Sequence, residues 1–138
     1  MNGNKRVHGK GDRDVIERLL GEALSKSGFT VKQPTGEPHF DIFAQKEDKA
    51  FVIEVKRFRS DDLLGFDSLA QVLAASTQVS SNLGSYILGV SALKVKPVII
   101  GTFGVSEPVK ETAKEAGITL LPLNDMTEQS IRAAFNSF

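Results

Sequence analysis

The run Ala50-Phe51-Val52-Ile53-Glu54-Val55-Lys56 is nearly continuous apolar sequence broken by two opposite charges. It lies between a charged turn, Lys46-Glu47-Asp48-Lys49, and a polar loop, Arg57 to Asp62, so its length and bounds read as a strand covered on both faces. Alternation sends Phe51, Ile53 and Val55 to one face and Glu54 and Lys56 together to the other. A charge in such a strand is costly unless it is paired or held by a metal. The two charges therefore mark either an ion pair near the strand end or a site. A strand of this kind must also sit centrally, under apolar layers. The 138 residues, 41% hydrophobic and 25% charged, are enough for one such packed domain and too apolar for a disordered chain.

The remaining sequence supplies the layers. Val15, Ile16, Leu19, Leu20, Ala23 and Leu24 recur at helical spacing from Asp12 until Gly28 stops them. Phe29 to Val31 and His39 to Gln45 read as strands separated by the turn residues Pro34 to Pro38. Phe66, Leu69, Ala70, Val72, Leu73 and Val79 predict a second helix ending near Gly84, and Tyr86 to Val95 fits no single pattern. Val98 to Phe103 reads as a buried strand, Glu107 to Ala116 as a helix opened by Ser106 and Pro108, and Ile118 to Leu121 as a strand. A last short helix begins after Asp125 or Thr127. The order α-β-β-β-α-β-α-β-α predicts an α/β fold: a mixed sheet of about five strands flanked by helices on both faces. Residues 1–11 are polar and basic and read as a flexible arm, leaving 12–138 as a single domain.

Several function classes drop out. Seventeen Lys+Arg balance seventeen Asp+Glu, so attraction to nucleic acid must come from local patches. With zero cysteines there is no disulfide, thiolate nucleophile or cysteine-based zinc site. No segment approaches the ~18 apolar residues of a membrane span, and the polar start lacks a secretory apolar stretch, so a cytoplasmic location is expected. Gly101-Thr102-Phe103-Gly104 lies between a strand and a helix but lacks the lysine and hydroxyl of a phosphate loop, so no nucleotide cofactor is expected.

Asp41 lies on the strand before the Lys46–Lys49 turn, and a hairpin there brings it alongside Glu54 and Lys56. Two close carboxylates repel unless a hard divalent cation such as Mg²⁺ takes their oxygens. A lysine beside them can orient water or offset charge on a phosphoryl oxygen. The alternatives are an ordinary Glu54–Lys56 ion pair and an Asp41 that caps a turn.

These residues resemble the PD-(D/E)XK nucleases, whose motif is an acidic residue followed across a hairpin by Glu/Asp-x-Lys: here Asp41, then Glu54-Val55-Lys56. Residues 12–59 are similar to the archaeal Holliday-junction resolvases in Glu17, Gly28-Phe29 and Glu54-Val55-Lys56. Residues 98–125 are similar to the end of Mrr-type restriction endonuclease domains. The family's proline before the acidic residue is missing, Phe40 standing there instead. The resemblance implies a restriction-endonuclease-like fold and a Mg²⁺- or Mn²⁺-dependent DNA endonuclease. It implies Asp41, Glu54 and the Val55 carbonyl as metal ligands, Lys56 as the catalytic lysine and Glu17 as an accessory acid. Asp14 to Glu17 also fits a capping box, which competes with that role of Glu17. Gln71 lies where several relatives place a glutamine facing the site, and it fits a solvated helix position equally. His39 shares the strand face of Asp41 and reads as accessory or structural. Arg57, Arg59, Lys10 and Arg13 flank the motif as candidate phosphate contacts. Cutting two strands calls for two sites, so DNA as substrate implies a homodimer. The competing class is an inactive nuclease-fold module that binds DNA or a subunit.

Overall fold

The computed structural model describes residues 10–32, 42–47, 49–57, 62–81 and 94–136, with the backbone alone for 10–16, 57 and 94. Among these, four helices and five strands follow the expected order: α1 (Lys10–Lys26), β1 (Thr30–Lys32), β2 (Ile42–Lys46), β3 (Lys49–Arg57), α2 (Phe66–Ser81), β4 (Lys94–Thr102), α3 (Glu107–Ala116), β5 (Thr119–Pro122) and α4 (Glu128–Phe135). The strands lie in the sheet in chain order. β1, β2 and β3 pair antiparallel, and β3, β4 and β5 pair parallel.

β3 is the centre of this sheet, and its alternation sets the two layers. Ala50 and Val52 pack with Leu69, Val72 and Val79 of α2 and with Val109 and Ala113 of α3. Phe51 and Ile53 pack with Leu20, Ala23 and Leu24 of α1 and with Ile131 and Phe135 of α4. Both crossover helices cover the same face because two right-handed crossovers advancing in one direction must do so. On the other face Phe29 holds strand and helix together: its ring meets Phe51 and Phe135 edge-on, at centroid distances of 5.8 and 5.9 Å.

Two helix ends explain why a glycine followed by an apolar residue punctuates this chain. After α1, Gly28 takes φ 94, its N–H donates to the Ser25 carbonyl and that of Phe29 to the Leu24 carbonyl. After α3, Gly117 takes φ 78, its N–H donates to the Lys114 carbonyl and that of Ile118 to the Ala113 carbonyl. Both are Schellman endings, in which the left-handed residue releases the chain and the next, apolar residue returns to the core. At α4, Thr127 caps the Ser130 N–H, and the hydroxyls of Ser130 and Thr127 donate to the Asp125 carboxylate at 2.7 and 3.1 Å. Those two donors, Ser130 first, hold the Asp125 carboxyl below its usual value.

Among the described residues, two helix or strand starts differ from expectation by more than one residue. α1 begins at Lys10 rather than Asp12, because a polar first turn carries no apolar periodicity to announce it. Asp14 is thereby inside the helix, so Asp14 to Glu17 is not a capping box. β4 begins at Lys94 rather than Val98, with Pro97 opposite Val52. The first β5 pairing is Val98 with Thr119, so at Pro97 β4 has a neighbour on one side, a position a residue without an N–H tolerates. The expected arm, residues 1–11, loses its last two residues to α1, and its residues 1–9 and most of the ambiguous Tyr86–Val95 segment lie outside the described residues. No helix among the described residues is long and apolar enough to cross a membrane.

Phe51 is 2% exposed and joins the sheet to Phe29. Phe51→Ala should cost about 3–5 kcal/mol, read as a lower urea midpoint at unchanged slope.

Candidate active site at the end of the central strand

The parallel strands β3 and β4 end together, with Lys56 opposite Gly101 and Arg57 opposite Thr102. In open α/β sheets this carboxyl edge is where a crevice opens between helix layers. The apolar run of β3 stops being fully buried there. Val52 and Ile53 have no exposure, whereas Glu54, Val55 and Lys56 are half-buried. Val55 continues the α1 and α4 face, which leaves Glu54 and Lys56 on the α2 face, as alternation predicts.

The Glu54 carboxylate and the Lys56 ammonium are 3.7 Å apart, with the two side chains 15% and 22% exposed. This is a partly desolvated ion pair, still partly exposed and backed by an apolar sheet. Each charge moderates the cost of leaving the other in a half-buried place.

Gly101, beside Lys56, is a constraint that the sequence reading missed. Its φ is 154, and a Cβ there would run into the Lys56 carbonyl. Its own carbonyl accepts from the Leu123 N–H at 2.8 Å. The signal available in the sequence was a glycine inside an otherwise apolar strand, which commonly marks close backbone approach. The chain after β3 returns to the same edge: the Leu64 N–H donates to the Gly104 carbonyl at 2.8 Å and the Gly104 N–H to the Asp62 carbonyl at 2.9 Å. Asp62, exposed, is thereby brought to the loop that follows β4, a placement its polar-loop sequence gave no hint of.

Of the predicted residues, the structure brings Glu54 and Lys56 together. The β2–β3 register ends at Ile42 opposite Ile53, one residue short of Asp41 and of Glu54. Asp41, His39 and Arg59 lie outside the described residues. Glu17 is half-buried on α1, one turn before Leu20, whose packing faces the opposite side of the sheet from Glu54. Gln71 is exposed on α2 beside the buried Val72. Lys10 and Arg13 belong to α1, and Arg57 ends β3. Among the described residues no three acidic or histidine side chains are grouped to hold a metal. The donors here are nonetheless of the hard-oxygen kind, the Glu54 carboxylate and the main-chain carbonyls of the β3 end, which fit part of a Mg²⁺ shell.

The architecture has counterparts among solved structures. No protein-family model and no curated protein matches the sequence. A protein of unknown function, AF1548, superposes with a TM-score of 0.58 at 20% identity over 76% of this chain and 56% of its own. A repair endonuclease from Pyrococcus abyssi superposes with a TM-score of 0.50 at 16% identity over 83% of this chain and 47% of its own. The MspJI restriction endonuclease, in complex with a 27-mer oligonucleotide, gives 0.52 at 12% identity over 94% and 28%. The chain has a restriction-endonuclease-like nuclease fold. It spans between 28% and 56% of the length of these three chains, so they share its domain and carry more besides.

Gly101→Ala should destabilise the domain by about 1–3 kcal/mol in urea unfolding, because the new methyl meets main chain rather than a movable side chain.

Proposed function

We propose that this protein is a divalent-metal-dependent DNA endonuclease, hydrolysing phosphodiester bonds at the β3 carboxyl edge. The observation that carries the reading is the half-buried Glu54–Lys56 pair, which stands at the carboxyl edge of the parallel strands in a restriction-endonuclease-like fold. The endonuclease neighbours, one of them with an oligonucleotide, support nucleic acid as substrate.

In this reading Asp41, Glu54 and the Val55 carbonyl hold Mg²⁺ or Mn²⁺. One further pair in the β2–β3 register would set Asp41 opposite Glu54. When bound, the metal supplies Lewis acidity toward a phosphoryl oxygen and lowers the pKa of water. The protein's own groups do the rest. The Lys56 ammonium, held by Glu54, stands where negative charge grows on the phosphoryl oxygens, and it can donate a hydrogen bond to an attacking water. The apolar backing of Ile99 and Leu64 lowers the local dielectric, which strengthens both effects. The same reading takes Glu17 as an accessory acid, Gln71 and His39 as further accessory groups, and Lys10, Arg13, Arg57 and Arg59 as phosphate contacts. A homodimer supplies the second site that cutting two strands needs.

Plasmid, branched, duplex and single-stranded DNA incubated with Mg²⁺ or with EDTA test the proposal. Cleavage should require the metal, and Glu54→Gln, Asp41→Asn and Lys56→Ala should each lower its rate by about a hundredfold or more without loss of fold. Variants as active as the wild type, or a wild type inert on every substrate, would leave the inactive DNA-binding module as the correct description. Sedimentation velocity with and without DNA should show a dimer.

A further inference from the structure

At the opposite, amino edge of the parallel strands, lysines fall into register. Lys46 of β2 is paired with Lys49 of β3, and Lys49 with Lys94 of β4. Two residues along β4, Lys96 is paired with Phe51. Directly paired residues share a face, so these positions belong to the α1 and α4 side, two residues before Phe51 and Val98 in their strands. Three adjacent strands thus carry lysine at one level of the sheet, in a chain whose formal net charge is zero.

Like charges placed directly opposite each other destabilise a sheet. Lys46 has a structural reason to be there. Its ammonium donates to the Ser27 carbonyl at the end of α1, at 3.1 Å, and lies 5.3 Å from the centroid of the Phe29 ring. No such reason applies to Lys49 and Lys96. Both are exposed, and among the described residues neither ammonium has an ion-pair or hydrogen-bond partner. Glu128 of α4 is held by Lys26 at 3.0 Å and Arg132 at 3.8 Å, and Glu47, in the turn between Lys46 and Lys49, is exposed.

We infer that Lys49 and Lys96 form a second contact surface for nucleic-acid phosphates, separate from the Glu54–Lys56 site. The choice of polyanion rests on the nucleic-acid reading above; the surface itself rests on the lysine register. Lys49 is five residues from Glu54, about 17 Å along the strand at roughly 3.3 Å per residue, which corresponds to about five base pairs of duplex. Flexible ammonium groups with no fork geometry contact backbone without reading sequence, so the surface adds affinity and register rather than specificity.

The test is binding without catalysis. A fluorescein-labelled duplex of about 30 base pairs is titrated in EDTA across a salt series with the wild type, a K49Q/K96Q variant and a K49R/K96R variant. Loss of two phosphate contacts should reduce the slope of log Kobs against log salt by about 1.8, and the arginine variant should keep the wild-type slope. Thermal unfolding checks that both variants fold. An unchanged slope in the folded glutamine variant overturns the inference, as does a wild type that shows no salt-dependent binding. A polyglutamate peptide that competes as well as DNA at equal charge also overturns it, in favour of an acidic protein partner. Metal-dependent cleavage by the wild type is scored separately. Failure of cleavage with the slope change intact removes the endonuclease reading and keeps the surface; the reverse result removes the surface alone.

Discussion

Everything in this domain depends on one strand being covered on both faces for most of its length and then running out of cover. β3 is paired antiparallel on one side and parallel on the other, and its central residues, Ala50 to Ile53, are buried. The helices that cover it come from both directions of the chain, α1 and α4 on one face and α2 and α3 on the other. Because the layers close over the middle of β3 and not its end, Glu54 and Lys56 stand at the boundary between dry core and water. That boundary is where an ion pair can be held in place and still be reached. Two residues earlier the same charges would face unpayable desolvation; well beyond it they would be mobile and screened.

The edge is shaped by main chain as much as by side chains. Gly101 lets β4 approach the Lys56 carbonyl, and Leu64 and Gly104 tie the chain after β3 back to the loop after β4. These contacts fix the end of β3 from the side opposite the hairpin, where Glu54 lies opposite Ile99 and Lys56 opposite Gly101. A site held in this way suits chemistry that needs charges fixed in advance of the substrate. The same register sets Lys49 and Lys96, without partners among the described residues, at the far end of the sheet, so the two ends of β3 present different side chains.

Much of the architecture could be read without coordinates. The bounds of α3 are those its flanking Ser106, Pro108 and Gly117 imply, and the hairpin closes where Lys46 to Lys49 suggest. The misses have physical causes. The first turn of α1 is polar, so no apolar periodicity in the sequence announces it. Lys94, Lys96 and Pro97 look unlike strand residues, and they become strand only because β3 extends alongside them and β5 has not yet begun. Of the candidate site, the Glu54–Lys56 contact was legible in their spacing, since residues two apart on a strand share a face. The roles of Gly101 and Asp62 were not, because each depends on which segments meet across the edge.

By itself, the sequence determined local matters: which segments are helix or strand, where glycine must end a helix, and that two charges in an apolar strand share one side. Those follow from periods of 3.6 and 2 and from the conformations each residue tolerates. The tertiary structure alone decided which helix covers which face, how far along β3 that cover extends, and which lysines line up across neighbouring strands. Such outcomes depend on register and crossover direction between residues distant in the chain, and no local pattern carries that information.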